Sequence, residues 1–237
     1  MVPNISWIDT LRSSWTLIAL IVFSIAAVGC AIERSWYYWK RRGSPDKTLE
    51  DVTRLLRRGE VDEAARVCDA SSHPLGPVAA QIIRGEYADE AEAEEQIQIG
   101  LSQQKLLLER NLGILGTAAA ASPLLGLLGT VWGIMRAFSD MSATGSGSPA
   151  VVAGGIAEAL ITTAVGIMIA VPSLLLYNTF ARRMTVMLTV AENHTRMIRA
   201  ALVSAKDRRP AEPGEFEPTV RLRKAAERRA EELEPAR

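Results

Sequence analysis

The chain has 237 residues, 48% of them apolar, and its 27 basic side chains balance 27 acidic ones to a formal net charge of zero. No basic excess points to nucleic acid. Distribution decides the class: charges are absent from residues 13–32, from 111–135 and, apart from Glu158, from 141–181. A span of about 30 Å of hydrocarbon needs roughly 18 or more residues at about 1.5 Å each. All three blocks are long enough, so an all-α, three-span membrane protein is predicted.

Residues 1–14 form a short segment before the first span, 15–32. Only Arg12 precedes its apolar core, whereas a cleaved signal peptide carries its basic residues first. Ala27-Val28-Gly29-Cys30 resembles a lipoprotein cleavage site, but with Ala27 where a larger aliphatic residue is usual. Cys30 is therefore read as a small apolar residue within the helix and Cys68 as a buried thiol. ERSWYYWKRR (33–42) sets four basic side chains beside four aromatics. Trp36, Trp39, Lys40, Arg41 and Arg42 are the predicted interface anchors, and the basic cluster assigns this end to the cytoplasm.

A helical cytoplasmic domain is predicted over 33–111. Ser44 and Pro45 start a first helix that Gly59 ends, Val61 to Val67 form a second, and a third begins near Pro74 or Pro77 and closes at Gly85. His73 is expected at a helix start or on the surface, and His194 on a polar face, because neither has Cys, Asp or Glu at metal-ligand spacing. From Asp89 an apolar stripe (Ile97, Leu101, Leu108, Leu112, Leu115) runs into the second span, 112–136, and predicts one unbroken helix.

The loop 137–150 has no Lys or Arg, whereas Arg182 and Arg183 follow the third span, 151–180. The positive-inside rule then places the N-terminus outside and the C-terminus in the cytoplasm. The third helix is expected to continue over 181–206. The tail, 207–237, combines prolines with dense mixed charge and is expected to be disordered, with a short solvated helix near 219–233.

Small residues crowd the second and third spans, among them Gly126, Gly129, Gly133, Gly155 and Gly166. In lipid such residues allow close backbone approach. Three spans are too few to enclose a polar path, so the packing surface suggests a homo-oligomer.

Glu158 is the one charge in the third block. A charged side chain at the bilayer centre costs about 2.5–3.5 kcal/mol on insertion scales, so it marks a functional candidate. At 100° per residue, Val151, Gly155, Thr162 and Val165 share its face, whereas Thr163 is directed at a neighbouring helix near Thr130. A carboxylate beside hydroxyls can take up and release a proton, which is relay chemistry. A neutral Glu bonding across a helix interface is the structural alternative. No nucleophile–base pair, phosphate loop or metal cluster is present, so no enzyme, cofactor or metal is expected.

LGLLGTVWGIM (125–135) and GIAEALITTAVGIMIAVPSLLLYNTFAR (155–182) resemble the two signature membrane segments of the MotA/TolQ/ExbB proton-channel family, nearest its ExbB and TolQ branches. The resemblance implies a bacterial inner-membrane homopentamer around the single spans of an ExbD/TolR-like protein. Proton flow would then drive work on a TonB-like, TolA-like or motility partner. It also implies that Glu158 is the essential acid and that Thr130 and Thr163 line the route, with Pro172 able to kink the third helix. Alternatives are a gliding or surface-motility motor of the same type, or a non-conducting membrane scaffold.

Overall fold

The computed structural model describes residues 15–87, 89–144 and 149–207. It contains helices and no strand among those residues: α1 (Trp15–Lys40), α2 (Pro45–Arg58), α3 (Val61–Ala70), α4 (Leu75–Arg84), α5 (Glu90–Glu109), α6 (Leu112–Thr144) and α7 (Pro149–Asp207). Among the described residues, three helical segments are long and apolar enough to cross a membrane: Trp15–Arg58, Leu112–Ser142 and Val152–Lys206. They overlap the blocks expected to be spans.

Helix boundaries follow local chemistry. Pro45 opens α2, where its missing N–H costs nothing, and Gly59 ends it at φ 80° with its N–H turned back toward the carbonyls of Leu55 and Leu56. The α4 helix begins after Pro74, and the Asp89 carboxylate caps α5 by accepting from the Glu92 N–H at 2.8 Å. Helix α7 runs for 59 residues, about 90 Å, straight through Pro172. Its first half pairs with α6, and its second half carries α2–α5. Val52, Leu56, Cys68, Ile82, Ile97 and Ile198 form the core of that lower bundle. Cys30 and Cys68 are both buried free thiols.

Two expectations are corrected. The helix from Asp89 is not continuous: it breaks at Arg110–Asn111, where Asn111 adopts φ 61°. No Pro or Gly marks the break, but Asn is the residue that tolerates this left-handed conformation best after Gly. The C-terminal end of α1 clamps the joint. Arg34 Nη1 (3.3 Å) and Tyr38 Oη (3.1 Å) both donate to the Leu108 carbonyl, and Cys30 Sγ donates to Asn111 O at 3.0 Å. The 137–150 stretch is also less loop than expected, because α6 stays helical to Thr144 and α7 starts at Pro149. Polar Ser, Thr and Asp do not interrupt a helix where no Gly or Pro intervenes. The expected short N-terminal segment 1–14 and the tail 208–237 lie outside the described residues.

His73 does stand at a helix start, directly before α4, yet it is buried, with Nδ1 accepting from the Leu75 N–H at 3.2 Å. Burial, then the nearby His194, push its pKa from 6.5 down to about 4, with Asp46 pulling weakly the other way. His194 is no open polar face either: it is 14% exposed, with Nε2 3.4 Å from Asp46 Oδ1.

Asn111→Gly should leave detergent-solubilised thermal stability unchanged, whereas Asn111→Val should lower it by about 1–3 kcal/mol, the cost of a β-branched residue at positive φ. The folded bundle disfavours protonated His73, so the opened bundle binds the extra proton and stability falls with falling pH. Hydrogen exchange of the α2–α4 amides should therefore show a loss of order 2–3 kcal/mol between about pH 6.5 and pH 4. In His73→Asn that pH dependence should flatten.

Candidate functional site

The α6–α7 pairing is close enough that side chains larger than hydrogen do not fit at its contact points. A methyl group on Gly126 would stand 2.9 Å from both Thr162 O and Thr163 Cα. On Gly133 it would lie 2.8 Å from Ala159 Cβ, on Gly155 2.5 Å from Ala137 Cβ, and on Gly166 2.5 Å from the Ser122 carbonyl. Gly129 faces Thr162 Oγ1 and Thr16 Oγ1 equally tightly. All five glycines singled out in the sequence thus lie along one seam.

That backbone proximity lets two threonines reach one carbonyl. Thr163 Oγ1 donates to Gly126 O at 2.9 Å, and Thr162 Oγ1 lies 3.2 Å from the same oxygen and 2.6 Å from Ala159 O in its own helix. Thr163 therefore faces α6, as its position on the helix predicts, but it meets Gly126 and not Thr130. Thr130 Oγ1 donates instead to Leu127 O, 2.6 Å away in its own helix. Thr162, expected on the face of Glu158, is buried in the seam at 2% exposure.

Glu158 lies one turn before Thr162 and is half-buried, with no hydrogen bond or ion pair among the described residues. Ala159, its neighbour, is fully packed on Gly133. The carboxylate thus sits at the rim of the helix pair, without a hydrogen bond or ion pair among the described residues. Pro172 sits deeper in α7, followed by Ser173, whose hydroxyl donates to Ile169 O at 2.8 Å.

Sequence reasoning missed Thr16, Ser122 and Ser173, all buried hydroxyls between the spans. Their signal was available as isolated hydroxyls in apolar runs. Among the interface residues, Trp36 and Trp39 are exposed, at 69% and 70%. Lys40 and Arg42 are exposed too, but Arg41 turns inward to Gln104 Oε1 at 3.2 Å and stacks on Tyr37. No group of three or more metal-ligating side chains occurs among the described residues.

Among the described residues, three apolar helices, two of them joined along a glycine seam that runs beside the Glu158 carboxylate, define a polytopic helical membrane protein built on close helix association. The chain belongs to the MotA/TolQ/ExbB proton channel family, whose profile matches residues 70–193. It is similar to the biopolymer transport protein ExbB of Xanthomonas campestris, 36% identical over 182 residues covering 72% of this chain and 68% of that one. The ExbB of Pseudomonas putida is 32% identical over 178 residues, 68% of this chain and 54% of the relative. The Tol-Pal system protein TolQ of Pseudomonas aeruginosa is 42% identical over 87 residues, 37% of this chain and 38% of that protein. The chain thus matches just over half of the P. putida relative and less than half of TolQ.

The seam yields a discriminating test. Gly166→Ala, which drives a methyl into a backbone carbonyl, should destabilise the α6–α7 pair by about 1–3 kcal/mol. Gly154→Ala, with nothing within 4 Å, should not. Thermal unfolding of the two variants in the same detergent measures the difference.

Proposed function

We propose that this chain is a subunit of a proton-driven motor in a bacterial inner membrane, of the ExbB/TolQ kind. Its N-terminus is external and its C-terminus cytoplasmic, in line with the basic residues 34–42 and 182–183 at the inner ends of the spans. Glu158 takes up and releases the transported proton, and Thr130, Thr162 and Thr163 supply hydroxyls along its route. The glycine seam keeps α6 and α7 together as one rigid wall, and several such walls assemble, as a homopentamer, around the single spans of an ExbD/TolR-like protein. Relative movement of the two then does work on a TonB-like or TolA-like partner. The single observation that carries this reading is the half-buried, unpartnered carboxylate of Glu158 in the third span.

The test is Glu158→Gln, which keeps the shape and removes the proton. Assembly, read as the mass of the solubilised complex, should be unchanged, while uncoupler-sensitive function in the native host should drop to the level of a strain lacking the protein. A fully working Glu158→Gln strain would sink the proposal.

A further inference from the structure

We propose that the cleft at the inner end of the third span binds the headgroup of an anionic phospholipid. The inner end of α1, the α1–α2 connection and the stretch of α7 just past its apolar block enclose a cleft of about 610 Å³. That volume lies within the usual range of roughly 300–1,000 Å³ for small-ligand sites. Arg42, Arg182 and Arg183 line it, together with Tyr38, Val186 and Met187, and no carboxylate does.

These three arginines differ from others in the chain. Arg34, Arg54, Arg66, Arg84, Arg196 and Arg199 each pair with a carboxylate. Arg42, Arg182 and Arg183 are exposed and form no ion pair among the described residues. Three unneutralised guanidinium groups around one concavity repel each other until an anion sits between them. Guanidinium matches phosphate oxygens in a bidentate fork, which a diffuse surface charge does not achieve.

Position selects the source of that phosphate. Arg182 and Arg183 are the first charges after the uncharged run 159–181, so the cleft opens where the third span leaves the hydrocarbon. The exposed Trp36 and Trp39 of α1 lie near the same end, as interfacial aromatics do. A fixed, concentrated array of lipid phosphates lies at that depth, and basic pockets between spans on the cytoplasmic side suit such headgroups. The proposal rests on the reading of α1 and α7 as spans with this end at the inner surface.

The experiment uses the full chain reconstituted in phosphatidylcholine vesicles with a minor fraction of phosphatidylglycerol. Spin-labelled phosphatidylglycerol and phosphatidylcholine report which lipid the protein immobilises. The wild type should prefer phosphatidylglycerol, and the preference should fall roughly fivefold for each of Arg42→Gln, Arg182→Gln and Arg183→Gln. Arg57→Gln with Arg58→Gln, exposed on α2, should leave it intact. Equal immobilisation of both lipids by the wild type, or an undiminished preference in the triple variant, overturns the proposal. So does loss of the preference on adding inorganic phosphate, which would make this a free-anion site, or dissociation of the oligomer in the triple variant without any wild-type preference, which would make it a subunit contact. Alkaline extraction of the same vesicles separates the two readings: protein that resists extraction yet shows no preference refutes the lipid site alone, whereas extractable protein refutes the membrane reading with it.

Discussion

Everything in this chain depends on how closely two helices can approach in lipid. Inside a bilayer the hydrophobic effect does not push helices together, so association rests on dispersion and on hydrogen bonds made at short range. Glycines on α6 and α7 remove the side chains that would hold the backbones apart, and the gap they leave is small enough for Thr162 and Thr163 to bond a carbonyl of the facing helix. The hydroxyl hydrogens are thereby engaged within the pair, while each oxygen keeps its acceptor lone pairs. Glu158, one turn away, has no hydrogen bond or ion pair among the described residues.

The C-terminal half of α7 joins that pair to the helical bundle. Apolar side chains of α2–α5 pack along it, with Arg196 bridging to Glu94 and Glu192 on the surface. Such exposed pairs add little to stability, about 0–1 kcal/mol each, so it is the buried stripe around Ile97 and Ile198 that joins the bundle to the helix. The only route from α5 to α6 passes through the clamped joint at Arg110–Asn111. A buried arginine and tyrosine from α1 satisfy the carbonyl that the break exposes, which ties α1 to the joint between α5 and α6.

Much of this was legible in the sequence, for physical reasons. Absent charge over span-length blocks has few meanings other than a membrane helix, and Gly59, Pro45 and Asp89 punctuate helices by mechanisms that act within a few residues. The glycines of the seam were readable because only helix contact in lipid rewards so many of them. What escaped depends on contacts far apart in the chain. The break at Asn111 needs partners from α1, so the local apolar stripe ran on past it. Arg34 and Tyr38 sit in a cluster that reads as interfacial, yet they turn inward because a carbonyl 74 and 70 residues away, respectively, needs donors. Thr130 carries the same hydroxyl as Thr163 but bonds within its own helix, a difference that only the facing backbone decides.

In the proposed function Glu158 exchanges a proton, and the packing around it leaves it without a partner among the described residues. The direct measurement is infrared difference spectroscopy of the reconstituted protein during a pH jump, comparing wild type with Glu158→Gln. A carboxyl band that rises and falls with pH in the wild type and is missing from the variant is the predicted result. A difference spectrum identical in the two proteins would contradict the account, since the carboxylate would then hold one state throughout and the proton would have to travel by another group.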